Sequence, residues 1–289
     1  MPTNQQRRAA AKRKLERQLV NRAERARKRR NLGVIITVAG VIVVVGGIYL
    51  LVNLSSGDDT AAPASTPPSS SAAPQPDKPA TIPTKLAAEP KRPSPLPATV
   101  SCEYKQDQGA GAAKPATAPN GKNVSATGKT SATMATTIGD IKMTLNRALA
   151  PCAVNSFLSL AKQGYFDNTP CHRMTTGAGL QVLQCGDPTG QGTGGPGYSF
   201  KDETFKQLKY GPGILAMANS GPNTNGSQFF IVYGDGSGLK PNYTVFGTID
   251  QASIQRIDDV AKAGVNPTNG PGDGAPVTPV NITGVTVAN

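Results

Sequence analysis

At 289 residues the chain has room for one or two domains. Its formal charge of +12 is concentrated at one end: residues 1–31 hold twelve Lys and Arg against Glu16 and Glu24, which leaves the rest of the chain close to neutral. A single histidine, no CxxC pair among four cysteines and no GxSxG elbow argue against a zinc centre and against the common serine-hydrolase arrangement.

The basic tail could face nucleic acid or anionic lipid, and the adjoining segment decides between them. Residues 32–54 are 23 consecutive uncharged, mostly apolar residues, and about 20 helical residues cross the hydrocarbon core of a bilayer. A cleaved signal peptide has a shorter apolar region, about 7 to 15 residues, so the pattern predicts an uncleaved transmembrane helix in contact with lipid. The positive charges ahead of it hold the N-terminus in the cytoplasm and put the rest outside the cell membrane. Nucleic acid is not an expected partner.

Residues 55–130 are rich in Pro, Ala, Ser and Thr and poor in large apolar side chains. Such a segment buries too little surface to offset its ordering entropy, and it reads as a disordered, proline-stiffened linker. Cys102 and Tyr104 interrupt it and could dock on the C-terminal half of the chain.

From residue 131 to 289 the texture is that of a folded domain. A run at 132–145 with a Gly139-Asp140 turn predicts a hairpin. Residues 151–164 predict a helix, with Pro151 in its first turn, Val154, Phe157, Leu158 and Ala161 on one face and Gly164 at its end. Short apolar runs separated by Gly, Pro and Asn then suggest a closed or sandwiched antiparallel sheet, followed by a second helix near 254–264 and a closing strand. Gly192 to Gly197 spells GxGxxG, but a strand-like Tyr198-Ser199-Phe200 comes after it where a dinucleotide fold requires a helix, so we read a glycine loop. Arg173, in a half-apolar strand, stands out because an inward guanidinium is costly without partners. Taken alone it reads more readily as a surface or salt-bridged arginine.

Residues 211–233 (GPGILAMANSGPNTNGSQFFIVY) change that balance, for they closely resemble the signature segment of the cyclophilins. Cys171-His172-Arg173-Met174 is similar to the family's Phe-His-Arg strand, residues 182–205 to its Gln-Gly-Gly-Asp strand and glycine loop, and residues 243–249 to a late strand. The resemblance spans about residues 132–287 and implies a mainly β fold, a closed eight-stranded antiparallel barrel capped by two helices. It also implies peptidyl-prolyl cis-trans isomerase activity on proline-containing polypeptides. Arg173 then becomes the catalytic residue, supported by His172. Gln184 and Gln228 become its polar neighbours, Ala218 and Asn219 the backbone that holds substrate, and Phe230, Val182 and Leu239 the proline pocket. Tyr243 stands where the family often has histidine. Three extra residues separate Arg173 from Gln184, and the aromatic that usually walls the pocket has no clear counterpart, with Leu180 or Gln181 in its neighbourhood. These departures bear on substrate preference, rate and cyclosporin binding.

Rotation about an amide makes and breaks no covalent bond, so neither a cofactor nor a metal is expected. The family also pairs the strands of Cys171 and Cys185, which implies a disulfide between them and leaves Cys102 for Cys152. The leading expectation is a membrane-anchored monomeric isomerase acting on exported proteins. The alternatives are a non-catalytic proline-peptide-binding module or chaperone of the cell envelope, and a scaffold whose anchor matters most.

Overall fold

A computed structural model describes residues 77–79, 81–83, 85–107 and 111–288. The basic tail, the apolar span 32–54 and the linker up to residue 76 lie outside the described residues, among which no helix is long and apolar enough to cross a membrane.

Residues 77–128 correct the expectation of a disordered linker reaching to 130. Asp77 exchanges two backbone hydrogen bonds with Val265, and the Ala87 amide donates to the Pro212 carbonyl. The Arg92 guanidinium donates to the carbonyls of Leu149 and Glu203 and stacks over the Phe205 ring. Further on come β1 (Thr99–Val100), β2 (Tyr104–Gln106) and β3 (Val124–Ser125), with β1 paired to β3. A disulfide ties Cys102 to Cys152. Composition hides this docking because it rests on backbone hydrogen bonds, one disulfide and a few scattered side chains such as Arg92, Tyr104 and Lys114, which show no periodic pattern.

β4 (Lys129–Thr136) and β5 (Ile141–Asn146) form the expected hairpin, in register from Met134 opposite Ile141. Its turn needs a residue with positive φ, which Gly139 supplies at +100°. Alternation along β5 sends Ile141, Met143 and Leu145 into the core and Lys142 to solvent. Helix α1 (Pro151–Lys162) buries Ala153, Val154, Phe157, Leu160 and Ala161, while Leu158 packs at its margin. No side chain of its own caps its start. The Glu203 carboxylate does so from 50 residues away, accepting the Cys152 and Ala153 amides at 3.0 and 2.9 Å.

The chain continues through β6 (Thr169–Pro170), β7 (Arg173–Thr175), β8 (Val182–Cys185), β9 (Tyr198–Phe200), β10 (Ile214–Met217), β11 (Phe229–Val232) and β12 (Val245–Ile249). Helix α2 (Gln251–Ala263), capped by the Asp250 side chain on the Ser253 amide, leads to β13 (Val265–Gly270), β14 (Asp273–Pro276) and β15 (Asn281–Val287). Eleven strands share one sheet in the order β13-β14-β7-β8-β11-β10-β12-β5-β4-β15-β6, while β2 pairs with β9. The closed eight-stranded barrel expected from the sequence is therefore not what the pairing gives. β6 and β7 are one stretch of chain interrupted at Cys171 and His172, so the ladder is broken there. The Cys171 amide donates to Val280 and its sulfur joins Cys185 on β8. The core is floored by Phe157, Phe166, Phe229 and Phe246, whose ring centroids lie 5.0 to 6.5 Å apart.

Candidate active site

β7, β8 and β11 lie side by side, so register decides what they present on one face. Arg173 sits opposite Gln184, and Gln184 opposite Phe230. Alternation sends all three to the same side of the sheet. Together with Leu180, Val182, Ala218, Asn219, Leu239 and Tyr243 they line a cavity of about 230 Å³. Eight of the residues singled out in the sequence thus meet in one hollow. Phe230 and Val182 are buried, and Tyr243 meets the Phe230 ring edge-on at 5.4 Å. The Tyr243 backbone is clamped by the Tyr210 hydroxyl, which donates to its carbonyl and accepts from its amide.

The aromatic missing from the sequence pattern is replaced by Leu180. Gln181 is turned away: its side chain donates to the Thr81 carbonyl and accepts from the Asp235 amide. Gln228 lies behind Gln184 and lines an adjacent, larger hollow of about 450 Å³ that shares Gln184, Ala218 and Asn219 with the first. Met217 is wholly core. His172 stands beside the glycine loop; both of its ring nitrogens are buried with no hydrogen-bond partner among the described residues, and burial lowers its pKa, favouring the neutral ring.

A polar chain fixes the guanidinium. Gln228 Nε2 donates to the carbonyls of Gly192 and Gly194, Gln184 Nε2 donates to Gln228 Oε1, and Arg173 donates from Nη1 to Gln184 Oε1 at 3.0 Å. Asp273, which no sequence motif marks, closes the other end. It accepts from Arg173 Nε and Nη2 at 2.7 Å each, a bidentate fork. The hydrogen bonds and charge of Asp273 raise the Arg173 pKa, and Arg173 in turn holds the Asp273 carboxyl below the usual carboxylate range. The glycine loop contributes backbone carbonyls and runs into β9, a strand, as expected. Gly194 has no room for a side chain, since its own amide donates to the Asp187 carboxylate and a Cβ would collide with it.

The cavity thus has a fixed cationic donor at one wall and apolar side chains at the other. The family model of the cyclophilin type peptidyl-prolyl cis-trans isomerases matches residues 131–287. The chain belongs to that family. Two mycobacterial relatives, each called a probable peptidyl-prolyl cis-trans isomerase B, extend the similarity beyond the cyclophilin domain. The one from Mycobacterium leprae is 52% identical over 98% of both chains, and the one from Mycobacterium tuberculosis is 48% identical over 99% of this chain and 94% of its own. A crystal structure of a Cryptosporidium parvum cyclophilin type isomerase is 32% identical, covering 56% of this chain and 99% of that one at a TM-score of 0.48. The cyclophilin domain is a peptidyl-prolyl cis-trans isomerase, and both expected disulfides are formed, Cys171–Cys185 within it and Cys102–Cys152 onto it.

Proposed function

We propose that the domain accelerates rotation of Xaa-Pro bonds in exported polypeptides, with Arg173 as its catalytic residue, while residues 32–54 anchor it to the outer face of the cell membrane. The observation that carries the catalytic part is the shared cavity: the Arg173 guanidinium and the Phe230 ring line the same hollow.

Rotation about an amide meets a barrier of about 18–20 kcal/mol because conjugation must be broken, and uncatalysed prolyl bonds take tens to hundreds of seconds. In the twisted amide the proline nitrogen regains a lone pair and can accept a hydrogen bond. A guanidinium has five N–H donors. Asp273 takes two and Gln184 one, which leaves two to meet the substrate. Phe230, Val182, Leu180 and Leu239 hold the pyrrolidine ring in this reading, and the Ala218–Asn219 backbone holds the flanking chain. An interaction present only in the twisted state raises the rate tenfold for about 1.4 kcal/mol.

The test is a protease-coupled assay of a short Xaa-Pro peptide with the purified full chain beside Arg173→Ala. Turnover should fall on the order of a hundredfold with an unchanged melting temperature. Equal turnover in the two proteins refutes Arg173 as the catalytic residue. Leu180 in place of an aromatic wall supports a second reading, a proline-peptide-binding module; binding of the peptide without acceleration would favour it.

A further inference from the structure

We propose that Asp273 is a positioning residue for Arg173, and that Asp77, from the segment ahead of the family domain, seats the hairpin that carries it. The proposal rests on the role given to Arg173 above.

A lone arginine side chain has four rotatable torsions, and its one hydrogen bond to Gln184 would leave its plane free to tilt. Two parallel bonds to one carboxylate fix both plane and direction. Asp273 can do this because β14 pairs directly with β7, the strand of Arg173: Asp273 lies opposite Thr175 and Gly274 opposite Met174. The two side chains are only 30% and 26% exposed, so this is no loose surface pair. The bonds go to Nε and Nη2, which directs the remaining Nη1 and Nη2 hydrogens away from β14. Orientation is what a donor to a developing lone pair needs, and small errors of placement are costly.

The carboxylate is in turn only as fixed as its hairpin. Asn269 Nδ2 donates to Asp273 Oδ1 at 3.2 Å, and the turn at Gly272 needs the positive φ of +68° it has. Asp77 bonds this hairpin twice over. Its carboxylate accepts the Gly272 amide at 2.7 Å, and its backbone forms a bridge with Val265 at the hairpin's start. Asp77 precedes the family match, which begins at residue 131. The segment that emerges from the linker therefore grips the element that aims the catalytic arginine.

The experiment compares the full chain with Asp273→Asn, Asp273→Glu, Asp77→Ala and Arg173→Ala. Measured quantities are kcat, KM, the melting temperature and the arginine Nε–H resonance of residue 173, assigned by its loss in Arg173→Lys. Asp273→Asn should lower kcat about tenfold or more with KM within about twofold, and should abolish the exchange protection of that Nε–H. Asp273→Glu should restore most of both, and Asp77→Ala should give the same pattern with a smaller loss. Wild-type kcat in Asp273→Asn, while Arg173→Ala is inactive, overturns the positioning role alone. Full activity in Arg173→Ala overturns this proposal together with the reading beneath it. A loss in Asp273→Asn that Asp273→Glu does not recover, with the Nε–H still protected, marks Asp273 as merely structural and also overturns it.

Discussion

Glu203 shows how one residue can serve the fold at a cost that depends on pH. Its carboxylate caps α1 on two amides, with Arg92 nearby, and these favour the charged form; burial opposes them more strongly and pushes its pKa up to about 7. An acid with a raised folded pKa stabilises the fold fully below its unfolded pKa, near 4.5, and loses that contribution as pH rises through about 7. The melting temperature should therefore decline between about pH 4.5 and 7 through this group. Glu203→Gln keeps one accepting oxygen but cannot titrate, so its melting curve should lack that part of the slope, which calorimetry across the range would measure. Arg173 stood out as a candidate only through the resemblance carried by contiguous motifs, and its register with Gln184 and Phe230 follows from neighbouring strands. Asp273 did not, because its partner lies 100 residues away and a carboxylate among Gly and Pro reads as an ordinary turn.

Among the elements, the two disulfides perform different work. Cys102–Cys152 pins the docked N-terminal segment to the first turn of α1 across a separation of 50 residues. Closing a loop of that length restricts the unfolded chain by about 4 kcal/mol in the chain-entropy account. Replacing both cysteines by serine should lower stability by up to that amount and open residues 85–128 to limited proteolysis, while turnover of a short peptide stays within about threefold, since that segment supplies no residue to the cavity of Arg173 and Phe230. Cys171–Cys185 ties the break between β6 and β7 to β8, and its two cysteines lie close to Arg173 and Gln184 in sequence. Serine at both should lower turnover by more than its effect on melting would suggest, because the strand ladder is interrupted at Cys171 and His172 and the disulfide is what ties the start of β7 to β8 there. Parallel kinetics and melting of the two double variants would separate these outcomes. The residue pattern alone suggested only a closed or sandwiched sheet, because strands of two or three residues such as β6, β7 and β9 carry too short a pattern to be counted from periodicity, and the eight-stranded barrel was what the resemblance implied.

For the molecule as a whole, the segment from Asp77 onward packs on the family domain, while composition had drawn the boundary near residue 130. Proline, alanine and serine report poor burial of side chains, and they say nothing about backbone amides. In this segment several contacts are main-chain, Asp77 with Val265, Ala87 with Pro212 and Ala113 with Gly195, and the side chains that join them are isolated ones such as Arg92, Tyr104 and Lys114. Residues 55–76 then remain between the proposed anchor and the isomerase, a stretch that could span about 80 Å at most. A soluble chain beginning at residue 55 keeps Asp77 and every docked contact, so it should turn over a short Xaa-Pro peptide at the rate of the full chain. A chain beginning at residue 131 keeps the whole family match yet loses Asp77, Arg92 and Cys102. It should melt lower and turn over more slowly, since both the grip on the Asp273 hairpin and the disulfide to α1 are gone. Equal rates and melting temperatures for the two truncations would mean that the N-terminal segment is a passenger, and the working unit would shrink back to the family domain alone.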